Sequence, residues 1–245
     1  LSGLARDGGL FMPDHWPEID PTQFQGQSYA EIAFSVLKPF VDDVFPDAKL
    51  RDILDQTYGS GTRFHHKAIT PLHQIEHDIW SLELFHGPTL AFKDVALQLL
   101  GHLFDAALEQ KGERVTIVGA TSGDTGSAAI EGCMGCKNVD VFILFPNGRV
   151  SDVQRRQMTT VNAANVYPIA VEGTFDDCQN MVKALFNDHD FRAQQNLSAV
   201  NSINWARIIA QTVYYFVASA ALNGGTQPLR YVVPTGNFGN ILAAY

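Results

Sequence analysis

Apolar runs typical of strands alternate with helical segments through the middle of this 245-residue chain. The strand-like runs are short and rich in β-branched residues, whereas the segments between them repeat apolar side chains at helical spacing. Strands are predicted at 115–118, 139–145 and 166–171, and helices follow them to about residues 132, 161 and 187. Because repeated passage from strand to helix builds βαβ units, this pattern predicts an α/β fold with a parallel sheet.

A lysine follows a Gly-Pro break at the start of another predicted helix. Residues 86–94 read HGPTLAFKD, and the apolar spacing turns helical from Leu90 onward. Lys93 is therefore predicted in the first helical turn, where the helix dipole disfavours a positive charge and favours the neutral, nucleophilic amine. The alternative is an ordinary solvated lysine on a helix face. Lys93 is thus a candidate catalytic residue.

Two further loops follow strand-like runs and precede helices. Residues 119–126 read GATSGDTG, and residues 234–240 read PTGNFGN after a predicted strand at 231–233. We call them the hydroxyl loop and the glycine loop. Backbone N–H groups at a helix start, together with loop hydroxyls, form an anion site. Each loop alone is a weak signal, because such turns also serve packing.

A third polar segment precedes a long apolar helix. It carries Asn201, Ser202, Asn204 and Arg207. These residues suit an ordinary helix cap with an extended arginine, and they equally suit a second anion pocket. Both interpretations stay open at this point.

The lysine motif, the hydroxyl loop and the glycine loop together resemble the threonine synthases of the fold-type-II pyridoxal-phosphate enzymes. The motif HGPTLAFKD is specific to one branch of that family, and DGGLF at 7–11 and NSIN at 201–204 extend the resemblance over almost the whole chain. The resemblance implies a fold like that of tryptophan synthase β, with two open, mostly parallel sheets flanked by helices. Because the family continues beyond the glycine loop, we expect a chain truncated at both ends.

The resemblance also implies a division into domains. Residues 1–80 would form an N-terminal segment, and residues 81–112 and 223–245 would belong to the larger cofactor-binding domain. Residues 113–222 would form a smaller α/β domain.

Individual residues receive roles from the same resemblance. Lys93 would hold pyridoxal 5'-phosphate as a Schiff base and move protons, and Asp124 would face the ring oxygen of the cofactor. The expected cofactor-binding residues are Lys93, Asp124, Gly236, Asn237, Phe238, Gly239 and Asn240. The residues expected to bind the carboxylate and phosphate of the substrate are Thr121, Ser122, Gly123, Thr125, Asn201, Ser202 and Arg207.

The activity implied is the conversion of O-phospho-L-homoserine and water to L-threonine and phosphate, by a carbon-oxygen lyase acting on phosphates. The nearest alternative is a threonine-synthase-like phospho-lyase that gives a 2-oxo acid. A serine or threonine dehydratase fits the lysine motif less well. From another class, the chain could be an inactive fragment that only packs or binds. A monomer or a homodimer is expected.

Composition limits the classes of partner. Hydrophobic residues make up 46% of the chain and charged residues 18%, as in soluble globular proteins. The net charge of −9 disfavours nucleic acid and anionic membranes as partners. No apolar run reaches the roughly 20 residues that a membrane span needs. The 3 cysteines are few and odd in number, which favours a reducing cytoplasm.

Two pairs of possible metal ligands are interpreted as structural. His73 and His77 have the spacing of a zinc helix, but the alternation around them predicts extended structure, and a third ligand is not evident. Cys133 and Cys136 lie where a helix ends, whereas a reactive thiolate favours a helix start. No metal is therefore expected.

Overall fold

The computed structural model describes residues 11–199 and 204–245. The first part of the chain is helical and ends in a hairpin. Its elements are a 3₁₀ turn at Pro21–Phe24, helices α1 (Tyr29–Val41) and α2 (Asp47–Tyr58), and strands β1 (Leu72–Glu76) and β2 (Ile79–Leu82). Ser28 begins α1 with a capping box, since its hydroxyl accepts from the Glu31 amide and the Glu31 carboxylate accepts from the Ser28 amide.

The second part is the predicted alternation of strands and helices. It comprises α3 (Lys93–Lys111), β3 (Val115–Ala120), α4 (Asp124–Cys133), β4 (Val139–Pro146), α5 (Asp152–Thr159), β5 (Val166–Val171), α6 (Phe175–Asn187), α7 (His189–Gln194), β6 (Leu197–Ser198), α8 (Trp205–Asn223) and α9 (Gly239–Ala244). The strands pair in the order β5-β4-β3-β6, and each neighbouring pair is parallel. The α/β class is therefore confirmed.

Helix α3 lies between two apolar cores. Val95, Leu99 and Leu103 pack into the first core, which α1, α2 and α8 complete. Leu97, Leu100 and Phe104 pack into the second core, which lies between α3, α4 and the sheet. Burial on both sides holds α3 from its first turn, so the position of Lys93 is defined by the interior of the molecule. The division into domains expected from sequence stays a prediction.

Helices α3 and α4 approach each other at two glycines. A Cβ at Gly101 would overlap the backbone carbonyl of Gly132, and a Cβ at Gly132 would overlap the carbonyl of Leu97. Backbone atoms cannot move aside as a flexible side chain can. The two glycines therefore set the spacing of the helices, and with it the spacing of their N-terminal ends.

We expect Gly132→Ala to destabilise the protein by about 3 kcal/mol, because the added methyl forces two backbones apart. In an open helix the same change would stabilise by about 1 kcal/mol, so the sign itself is diagnostic. Urea unfolding measures the difference. Gly119→Ala is the control, since its Cβ would make only an ordinary contact 3.5 Å from Ile143. Equal stabilities of the two variants would show that α3 and α4 do not touch there.

The strand predicted at 231–233 is wrong. These residues have no regular secondary structure and belong to neither sheet, and Val232 is 98% exposed. A strand requires hydrogen bonds from a neighbouring strand, and the described residues place none beside this segment. The prediction was based on apolar composition, which does not show whether a pairing strand is present.

The extended structure predicted around His73 is confirmed, and the two cysteines are buried or half-buried. His73 and His77 lie in and just after β1, in the hairpin, and no group of metal-binding side chains occurs among the described residues. Burial raises the pKa of the Cys133 thiol and raises that of Cys136 to about 12. Both thiols therefore stay protonated and unreactive near neutral pH.

Candidate functional site

Lys93 is the first residue of α3, as predicted, and its amine meets the first residue of α4. Its Nζ donates to Oδ2 of Asp124 across 2.6 Å. The lysine side chain is 15% exposed and that of Asp124 is 50% exposed, so solvent reaches the pair mainly from the side of Asp124. Two helix starts thus face each other with opposite charges.

The turn before Lys93 is held by a buried carboxylate. Oδ2 of Asp94 accepts from the backbone amide of Thr89, and Oδ1 accepts from its hydroxyl, both at 2.8 Å. Asp94 is fully buried, and burial raises its pKa even though these hydrogen bonds act in the opposite direction. A Cβ at Gly87 would overlap the Asp94 side chain, which accounts for the glycine. Sequence reasoning assigned Asp94 no role, because only its burial reveals one.

The hydroxyl loop is shaped by one side chain. The Thr121 hydroxyl accepts from the amides of Gly123 and Gly126 and donates to the carbonyl of Gly123. Thr121 is buried, so its hydroxyl is committed to the loop itself. Ser122 is exposed and Thr125 half-buried, and these two hydroxyls remain at the surface of the loop.

Arg207 brings a second cation towards Asp124. It lies in the first turn of α8 and is only 3% exposed. Burial lowers its pKa to about 10, and the negative charge of Asp124 opposes that shift. Arg207 therefore remains charged at neutral pH. Asp124 thus contacts Lys93 and acts electrostatically on Arg207. We call these three residues, from α3, α4 and α8, the charged cluster, whereas Asn201 and Ser202 lie outside the described residues.

The glycine loop leads into α9. The Thr235 hydroxyl accepts from the Phe238 amide at 3.1 Å and donates to the side-chain oxygen of Asn240 at 2.8 Å. Phe238 has a left-handed φ of 59°, and a Cβ at Gly236 would meet no atom within 4 Å. The loop is thus pre-shaped and open above Gly236.

Helix α8 connects the glycine loop with the charged cluster. It packs against both α3 and α9, and the Tyr215 hydroxyl donates to the Asn240 carbonyl across 2.7 Å. The same helix carries Arg207 in its first turn. The structure therefore brings Lys93 into contact with Asp124, and α8 carries Arg207 at one end of its packing against α3 and links to Asn240 through Tyr215.

In the part of the chain that the structure covers, no helix combines the length and apolarity required to cross a membrane.

Comparison with known families agrees with the geometry. Residues 1–58 match the family described as Threonine synthase N terminus, and residues 64–245 match the family described as Pyridoxal-phosphate dependent enzyme. The threonine synthase of Pseudomonas aeruginosa is 56% identical over all of this chain and 52% of its own length. Threonine synthase-like 2 of Xenopus laevis is 39% identical over 99% of this chain and 52% of its own.

Solved structures give the same result. The structure of PLP-bound threonine synthase from Brucella melitensis superposes with a TM-score of 0.95 and 53% identity, covering 99% of this chain and 52% of that one. Threonine synthase from Escherichia coli gives a TM-score of 0.81 at 33% identity, covering 99% and 55%. The chain spans about half the length of the relatives it matches. It belongs to the pyridoxal-phosphate-dependent enzyme family, with the type-II fold, and resembles the threonine synthases along its whole length.

Proposed function

We propose that the full-length protein carrying this chain is a threonine synthase, which converts O-phospho-L-homoserine and water to L-threonine and phosphate. The observation that carries the proposal is the charged cluster. A lysine amine contacts the Asp124 carboxylate, a buried arginine at a third helix start lies within its electrostatic influence, and the adjoining loop carries free hydroxyls. Such a site offers a lysine side chain for a carbonyl cofactor and fixed positive charge for an anionic substrate.

The residues present fit pyridoxal 5'-phosphate. Lys93 offers the amine that the aldehyde requires. In the loop at 236–240 the Phe238 amide donates to the Thr235 hydroxyl and shapes the loop, and the remaining backbone amides are available for a phosphate. A Cβ at Gly236 would project into the space above that loop, where a phosphate must approach closely. When bound, the cofactor withdraws electrons from the carbon atoms of an amino acid. Asn237, Phe238, Gly239 and Asn240 complete the proposed phosphate site.

Lys93 is proposed to move protons at Cα of the substrate, which carries the amino group, and at the adjacent Cβ. Asp124 stays proposed to face the ring oxygen of the cofactor, and its carboxylate also accepts from the lysine amine. We therefore propose that Asp124 orients that amine. A carboxylate 2.6 Å away restricts the amine to a narrow range of positions.

Arg207 is proposed to hold the phosphate of the substrate. Its guanidinium is buried and charged, so its field is less screened than that of a surface arginine. Ser122, Gly123 and Thr125 are proposed to receive the substrate carboxylate, with Thr121 maintaining the loop. Asn201 and Ser202 are proposed to assist Arg207, on the basis of the family resemblance alone.

Product analysis separates this function from its rivals. The purified full-length protein, supplied with pyridoxal phosphate and O-phosphohomoserine, is expected to release threonine and phosphate in equal amounts. Formation of a 2-oxo acid would indicate a phospho-lyase, and the absence of a cofactor absorbance band would indicate a binding module. The greater identity to a threonine synthase, 56% against 39% for a synthase-like protein, favours the synthase.

A cytoplasmic location and a monomeric or homodimeric state belong to the same proposal. The three cysteines are free, which suits a reducing compartment. Neither nucleic acid nor a membrane is proposed as a partner, because the net charge is −9.

A further inference from the structure

The turn before Lys93 contains a residue in an unfavourable backbone conformation. Leu90 has a φ of 61°, in the left-handed region that residues with a Cβ rarely adopt. Its side chain is 62% exposed, so burial of that side chain does not offset the strain. A strained turn persists only where its surroundings hold it, and such turns cluster at functional sites.

Two elements hold this turn through the preceding residue. From α3, Asp94 accepts the amide and hydroxyl hydrogens of Thr89. From α5, the side-chain amide of Gln157 donates to the Thr89 carbonyl oxygen across 3.1 Å. All three polar groups of Thr89 are therefore engaged. The Gln157 contact spans 68 positions of sequence, so local folding of the turn cannot supply it.

Helix α5 is itself anchored. Met158, the neighbour of Gln157, is fully buried in the core beneath the sheet. Ser151 begins the helix, and its hydroxyl accepts from the amide of Gln154. A Cβ at Gly123 would overlap the side-chain amide of Gln154, so this glutamine lies directly against the hydroxyl loop. The two glutamines are three positions apart, on one face of α5.

One face of α5 thus touches both loops that flank the Lys93–Asp124 pair. We propose that Gln157 is a positioning residue, which holds the strained turn at Thr89 and Leu90 and thereby sets the Lys93 amine against Asp124. It acts through the turn and touches neither the substrate nor the reacting atoms. The inference rests on the proposed function, because Lys93 must be the lysine that binds the cofactor.

The test measures the attachment of pyridoxal phosphate to cofactor-stripped full-length protein. The rate is followed by absorbance, and borohydride trapping with peptide mapping locates the modified lysine. Gln157→Met removes the donor but keeps a side chain of similar length. Attachment at Lys93 is expected to slow at least tenfold, because the released turn no longer presents the amine in one position. Arg156→Met on the same helix is the control and should attach at the wild-type rate.

A second substitution separates positioning from general damage. Leu90→Gly removes the strain, because glycine adopts a positive φ readily. Leu90→Gly alone should attach cofactor at a rate near that of wild type. In the double variant Leu90→Gly/Gln157→Met, the attachment rate should return to within about twofold of the wild-type rate, because a relaxed turn no longer needs the hydrogen bond from Gln157. If Gln157→Met fails to fold, Gln157→Asn replaces it in the same test, because the shorter asparagine side chain brings its amide less close to the Thr89 carbonyl.

The outcomes are distinct. Wild-type attachment at Lys93 with an unchanged rate in Gln157→Met would overturn the positioning role and leave the proposed function standing. If attachment is slow in Gln157→Met and adding Leu90→Gly does not restore the rate, the positioning role is also overturned, because the effect would not pass through the turn. Attachment of wild type at another lysine would overturn the proposed function, and this inference with it.

Discussion

Lys93→Ala is expected to abolish covalent attachment of pyridoxal phosphate to the full-length protein. Lys93 is the first residue of α3, is held by burial of that helix on both sides, and points its amine at Asp124. Replacement by alanine removes the amine and leaves the helix intact, because alanine is the strongest helix former. Borohydride reduction of the loaded protein followed by peptide mapping measures the attachment. Turnover of O-phosphohomoserine is expected to fall below detection with it.

Other lysines provide the controls for this experiment. Lys67 and Lys111 are exposed, and Lys111 lies at the opposite end of α3. Lys67→Ala and Lys111→Ala should therefore retain full attachment and activity. Recovery of the reduced cofactor on either residue in the wild-type protein would refute the assignment of Lys93.

Arg207→Ala is expected to lower turnover of O-phosphohomoserine by a hundredfold or more, with the absorbance band of the bound cofactor unchanged. Phosphate leaves as a dianion, and fixed positive charge in a site shielded from water stabilises that departure. A hundredfold loss corresponds to about 2.7 kcal/mol of transition-state stabilisation. Steady-state release of inorganic phosphate measures the effect.

Two further variants distinguish charge from packing. Arg207→Lys should recover activity only in part, because an ammonium lacks the planar fork that binds two phosphate oxygens. Arg156→Ala should be neutral, since Arg156 is exposed on α5. Undiminished phosphate release from Arg207→Ala, or a wild type that prefers unphosphorylated serine, would show that Arg207 does not bind the substrate phosphate.

Asp94, Gln157 and the conformation of Leu90 escaped prediction for a shared physical reason. From sequence alone an aspartate such as Asp94 is predicted to lie at the surface, because charged side chains are almost always exposed. The hydrogen bond from Gln157 to Thr89 joins positions 68 apart and leaves no local signature. A positive φ at leucine runs against local preference, so only the surrounding structure reveals it.

Local chemistry in the sequence was sufficient for most of the helices and strands and for the position of Lys93 at a helix start. The Gly-Pro break before Lys93 and the β-branched runs act within a few residues, and the strand predicted at 166–171 has those same bounds in the structure. Tertiary structure alone decided which side chains meet. Asp124 contacts Lys93 because Gly101 and Gly132 let α3 and α4 approach closely. The segment at 231–233 is no strand, because residues 11–199 and 204–245 include no strand that pairs with it. Turn and helix signals act over short distances along the chain, whereas contacts between distant residues depend on how whole elements pack.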